Sequence, residues 1–206
     1  MTYNRKNQFD RAVEDCSRAI ELNPGYATAY VTRGQSFQGK GNHPRAIEDF
    51  NRAIELNPQT VNGFYGRAFS YDSLGDSARA IEDYSKVIER DPESIGAWNG
   101  RCWARAVVGD LEKALEDCNR ALKMRPAYSN ALDSRGLVHL KMGKWDNAIA
   151  DFTSALEAQP KDASSLYGRG VANAKKGDEK AARADIEAAK AIDPDIEEDF
   201  KRYGVH

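Results

Sequence analysis

The chain has 206 residues, of which 30% are Asp, Glu, Lys or Arg, and a formal net charge of −2 at pH 7. So even a balance supplies no basic field for phosphate backbones, which sets aside generic nucleic-acid binding, and no apolar run approaches the ~18 residues of a membrane span. Three cysteines without framework spacing (Cys16, Cys102, Cys118) and the polar start Met1–Lys6 argue against a disulfide-stapled secreted domain and point to a reducing, cytoplasmic setting.

Residues 1–26 read as part of a repeating unit. Phe9, Val13, Cys16, Ala19 and Ile20 follow helical spacing, so one helix is expected from roughly Asp10 to Leu22. It closes on Glu21-Leu22-Asn23-Pro24, a stretch that returns unchanged at Glu55-Leu56-Asn57-Pro58. Prolines then recur every 34 residues, at Pro24, Pro58, Pro92, Pro126, Pro160 and Pro194. Self-similarity at that period marks a repeat array, in which each unit buries its apolar face only against its neighbours. The units are 27–60, 61–94, 95–128, 129–162 and 163–196, and the chain is expected to form a single solenoid domain over 1–206.

Each unit predicts two amphipathic helices. In 129–162 one stripe runs through Leu132, Arg135, Gly136 and His139, and a second through Trp145, Ala148, Ile149, Phe152, Ala155 and Leu156. Between them stands Gly143, in a column with Gly41, Gly75, Gly109 and Gly177, where a left-handed residue would end the first helix. Asn42, Asp76, Asp110 and Asp178 follow and suit capping of the second helix, whereas the fourth unit has Lys144. Pro44 lies off the proline ruler but falls in a first turn, where proline costs least. The expected fold is all-α, a stack of antiparallel helical hairpins.

Alanine columns (Ala12, Ala46, Ala80, Ala114, Ala148, Ala182 and Ala19, Ala53, Ala121, Ala155, Ala189, with Val87 in unit 61–94) let the helices approach. Between them Cys16, Phe50, Tyr84, Cys118, Phe152 and Ile186 fill the seam. Cys102 and Cys118 face each other across one hairpin and are expected as two buried small apolar side chains, with a redox link as the alternative. After Pro194 a sixth unit starts and stops. Residues 197–206 are expected to form a capping helix, with Glu197, Glu198, Lys201 and Arg202 outward.

No catalytic constellation appears. His43, His139 and His206 are scattered, with His139 on a packing column as a satisfied core residue, and HExxH, CxxC and phosphate-loop patterns are missing. The expectation is no catalysis, no cofactor and no metal centre.

The columns resemble the tetratricopeptide repeat family, whose 34-residue pattern is matched in 27–60 by Tyr30, Gly34, Phe37, Ala46, Phe50, Ala53 and Pro58. The resemblance implies a right-handed superhelical solenoid whose first helices line a concave groove. It departs from the family where Leu usually precedes the Gly: here stand Arg33, Arg67, Arg101, Arg135 and Arg169. Asp49, Asp83, Asp117, Asp151 and Asp185 lie as far beyond the turn glycine as those arginines lie before it, so each Arg is expected to fork onto the Asp of its own hairpin, with the Asp of the preceding hairpin (Asp15 for Arg33) as the alternative.

By the family's pattern the peptide-binding groove comprises Asn62, Tyr65, Phe69, Asn99, Trp103, Asn130, Asp133, Leu137 and Tyr167, aromatic anchors among polar groups. Gly66, Gly100 and Gly168 share a groove column, either for close packing or for access of a ligand backbone. The Lys and Asn spacing of the chaperone carboxylate-tail clamp is missing. The implied function is a protein-interaction scaffold that binds a partner peptide or helix, with neither nucleic acid nor membrane as partner. The alternatives are a self-assembling structural module or an accessory domain of a larger enzyme or regulator. The uncovered side of the first helix predicts a homodimer through that helix, unless residues 1–7 fold back with Tyr3 in the gap.

Overall fold

A computed structural model describes residues 2–205, with side chains from residue 8 onward. Among the described residues there are twelve helices and no strand. They are α1 (Thr2–Leu22), α2 (Ala27–Gly39), α3 (His43–Leu56), α4 (Val61–Ser73), α5 (Ser77–Arg90) and α6 (Ile95–Val108). Then follow α7 (Leu111–Met124), α8 (Ser129–Lys141), α9 (Trp145–Ala158), α10 (Ala163–Lys176), α11 (Glu179–Ile192) and α12 (Ile196–Arg202). No helix among the described residues is long and apolar enough to cross a membrane.

The turn glycines set the hairpins. Gly41, Gly75, Gly109, Gly143 and Gly177 all have φ between 72° and 88°, the left-handed region that stops a helix without a Cβ clash. Asn42, Asp76 and Asp178 then cap the second helices by accepting from the backbone N–H of Arg45, Arg79 and Ala181. At the far end each ruler proline forces extended backbone on the residue before it, as at Asn57, where φ is −139° and ψ 91°. Pro44 sits in the first turn of α3.

The chain forms two compact units, Met1–Ala97 and Trp98–His206. In the first, α1 lies on the hairpin α2–α3, followed by the hairpin α4–α5. Phe50 is its central side chain. The ring is fully buried, and a Cβ at either Gly34 or Gly66 would collide with it. Phe50 on α3 is thus wedged between the first helices of its own and the next hairpin, and glycine is required on both sides. The second unit holds most of α6, then α7 to α12, and repeats the device. Phe152 on α9 is fully buried, and Cβ atoms at Gly136 and Gly168 would meet its ring. Burying such a phenylalanine contributes ~1.5–3 kcal/mol. At Gly66 and Gly168 the column is therefore explained by packing and not by ligand access.

Three readings need correction. Helix α1 runs unbroken from Thr2, because no glycine or proline interrupts residues 2–22, so it starts earlier than Asp10 and residues 2–7 do not fold back. The side chain of Tyr3 lies outside the described residues. Cys102 and Cys118 are joined in a disulfide between α6 and α7, with Cα atoms 5.4 Å apart, instead of packing as two thiols. The facing columns that place them together also satisfy the reach of a disulfide. Cys16 is free. His139 is buried, but its Nδ1 has no hydrogen-bond partner among the described residues, and burial lowers its pKa.

Candidate functional site

The first helices are held in register by a repeated ion pair. Arg33 donates from Nε and Nη2 to Asp49 at 2.8 and 2.7 Å, and Arg67 does the same to Asp83 at 2.7 and 2.8 Å. In the second unit the forks are Arg101 on Asp117 (2.9 and 2.8 Å), Arg135 on Asp151 (2.8 and 2.7 Å) and Arg169 on Asp185 (both 2.8 Å). Each bond closes a hairpin at its middle. The carboxylate bonds raise the pKa of Arg33, Arg67 and Arg169.

The third guanidinium nitrogen reaches a residue that the sequence reading passed over. Arg33 Nη1 donates to Ser17, Arg67 Nη1 to Asn51, Arg135 Nη1 to Asn119 and Arg169 Nη1 to Thr153, at 2.7–3.3 Å. These acceptors lie on the second helix of the preceding hairpin. One arginine therefore locks its own hairpin and splices it to its predecessor. The polar acceptors recur at the same 34-residue interval, so the signal was present in the sequence.

On that frame, the first unit presents a face built from α2 and α4. Gln38 Nε2 donates to Gly66 O at 2.7 Å and to Ser70 Oγ at 2.9 Å, which ties the two helices together. Tyr65 and Phe69, one turn apart on α4, are 37% and 48% exposed. Tyr65 packs edge-on against Tyr84 with ring centres 5.8 Å apart, and Phe69 lies 6.2 Å from the His43 ring. Asn62 is exposed beside them, as are Thr28, Thr32 and Gln35 on α2.

The second unit's share of the groove set is placed differently. Leu137 is 1% exposed and belongs to the core cluster. Asp133 accepts from the Ser165 hydroxyl at 2.7 Å and from that of Ser164 at 3.2 Å, which pins α8 to the first turn of α10. Burial pushes its pKa up to about 7. Asn99 is half-buried, and its shielded Oδ1 has no hydrogen-bond partner among the described residues. Asn130 stays exposed, with its Oδ1 3.5 Å from both Ser129 Oγ and Gln159 Nε2.

Tyr167 and Trp103 are covered by α12 and the residues after it. The Phe200 ring is centred 4.8 Å from Tyr167, and the Tyr203 ring stands edge-on to Trp103 at 4.9 Å. Lys141 on α8 donates from Nζ to Ala106 O (2.6 Å), Val107 O (3.3 Å) and Tyr203 O (2.5 Å). One ammonium thus serves carbonyls at the C-terminal ends of both α6 and α12, where cations are favoured. Tyr203 breaks the arginine column and Lys141 lies on a column of mixed residue types, so no repeated signal pointed to either contact.

Family profiles described as tetratricopeptide repeat match residues 65–129 and 134–195, residues 27–60, and residues 1–26. Among solved structures the chain is similar to YrrB, described as a TPR protein with an unusual peptide-binding site. The TM-score is 0.66 and the identity 22%, over 89% of this chain and 94% of that one. It also resembles PilW, described as a type IV pilus biogenesis factor, with TM-score 0.79 and 19% identity over 94% and 90% of the two chains. A thermophilic TPR protein from Thermus thermophilus gives TM-score 0.70 and 23% identity over 86% and 97%. At these identities the likeness concerns the fold. No curated protein sequence matches the chain.

Proposed function

The chain belongs to the tetratricopeptide repeat family, and we propose that it is a protein-interaction scaffold holding a partner's peptide or helix on the α2–α4 face of its first unit. The observation that carries this reading is the exposed pair Tyr65 and Phe69 on a rigid helix. Two large aromatic side chains left partly in water, with exposed Asn62, Thr28, Thr32 and Gln35 around them, have the make-up of an interaction hot spot. Burial of the two rings by a partner would supply the affinity, and the amide and hydroxyl groups would hydrogen-bond the partner's main chain. The fork bonds and the Gln38 bridge keep the helices fixed, so little ordering cost falls on this side of the complex. A peptide-binding site is also what YrrB's description states for that protein.

Peptides selected from a random display library against the native chain provide the test. Tyr65→Ala with Phe69→Ala should weaken the selected peptides by ~1–4 kcal/mol, tenfold or more, with helicity unchanged because both rings are exposed. Peptides that bind the double variant as well as the native chain would place the interaction elsewhere.

A further inference from the structure

On the 34-residue ruler Tyr203 takes the position of Arg169, whose side chain turns toward the second helix of its own hairpin. A chain that simply continued the stack would aim Tyr203 the same way. Instead its ring meets Trp103 on α6, three hairpins back, while its carbonyl accepts from Lys141 on α8 and the neighbouring Phe200 ring meets Tyr167 on α10. Three successive first helices therefore touch one segment of ten residues. Gly204, at φ 79°, ends α12 where this contact is made.

We propose that the α6–α8–α10 face of the second unit is a binding site for a short helical segment with aromatic side chains three residues apart, and that Ile196–Val205 is its resident, displaceable occupant. The segment shows what the site accepts. Phe200 and Tyr203 fill the aromatic positions, and a helix C-terminal carbonyl is taken by the Lys141 ammonium. The acidic first turn, Glu197 to Asp199, is left toward water and toward Lys190. A seven-residue helix does not hold its shape alone, so the order of α12 comes from this docking and is lost when a competitor takes its place. The docked side is buried, with Ile196 and Phe200 5% and 1% exposed, while Glu198, Lys201 and Arg202 on the outward side face water. Because the occupant is tethered, it competes at an effective concentration on the order of millimolar. A partner must therefore carry the same aromatic pair at higher affinity or higher local concentration. This site is separate from the α2–α4 face and does not depend on Tyr65 or Phe69.

The test uses the full chain and a fluorescent peptide of residues 195–205. Phe200→Ser with Tyr203→Ser should vacate the face, and the peptide should then bind at least tenfold more tightly than it binds the native chain. Adding Trp103→Ala to the vacated chain should abolish that gain. Equal peptide binding by native and vacated chains would overturn the proposal. So would dimerisation of the vacated chain in place of peptide binding. Should the variant fail to fold, hydrogen exchange on the native chain decides. Amides of α12 should exchange at least tenfold faster than those of α8 and α10, and exchange only through global unfolding would make the segment fixed core.

Discussion

The two units carry the same columns on their first helices and present different faces. In the first, Tyr65 and Phe69 stand 37% and 48% exposed. In the second, the same columns hold Tyr167, 9% exposed under Phe200, and Trp103, half-buried under Tyr203. What separates them is a covering segment and its fastener, Lys141, whose counterparts on the ruler in the first unit are Gly39 and Ser73. The repeat pattern generates an aromatic face wherever those columns are aromatic. Whether that face stays open depends on side chains outside the pattern.

The comparison breaks most sharply at the ion pairs. Asp117 accepts from Arg105 Nη1 at 2.7 Å as well as from Arg101, whereas Asp83 rests on the Arg67 fork. Arg67→Leu should cost ~3–5 kcal/mol by leaving a buried carboxylate without that partner. Arg101→Leu should cost clearly less, because Arg105 remains. Urea unfolding of the two variants measures the difference, and removing Asp83 together with Arg67 should recover much of the loss.

A pH dependence comes next in size. The position that Tyr65 occupies in the first unit is Asp133 in the second, and burial raises its pKa from 3.8 to about 7. Between about pH 4 and 7 the folded chain holds a proton that the unfolded chain has released, so stability falls as pH rises through that window, by up to about 4 kcal/mol. Asp72, in the first unit, is pushed to about 6 by burial and acts in the same direction over a narrower range. Asp133→Asn should flatten the upper part of the curve in melts taken from pH 4 to 8.

The disulfide sharpens the contrast in another way, since it lies in the second unit alone among the described residues. Cys102→Ala with Cys118→Ala should lower stability by ~3 kcal/mol for a loop of this length. Reductant should reproduce the loss in the native chain and leave the variant unaffected. The smallest effect expected is the one shared by both units: Gly66→Ala and Gly168→Ala each press a methyl into the Phe50 or Phe152 ring and should cost ~1–3 kcal/mol apiece. Equal costs would show that the two seams are packed alike and that the units differ in their faces only.

What was legible followed the period. The turn glycines, the closing prolines, the alanine seams and the Arg and Asp columns all express contacts within one hairpin or between adjacent ones, so each repeats every 34 residues and declares itself. The Ser17, Asn51, Asn119 and Thr153 acceptors repeat too, and went unread only because their residue types vary. The extent of α1 was legible in another sense: the missing glycine and proline before Leu22 permit one long helix.

The sequence by itself determined the hairpin and set Arg33 level with Asp49 and Cys102 level with Cys118, because these rest on local backbone preference and a fixed register; the structure chose Asp49 over Asp15. It determined the aromatic content of both faces as well. Only the tertiary structure decided that Tyr65 and Phe69 lie open while Tyr167 and Trp103 are covered. The contacts that cover them, Tyr203 on Trp103 and Tyr203 O on Lys141 Nζ 62 residues away, occur once. A contact made once has no period, and its energy comes from a docking geometry that exists after α6, α8 and α10 have assembled.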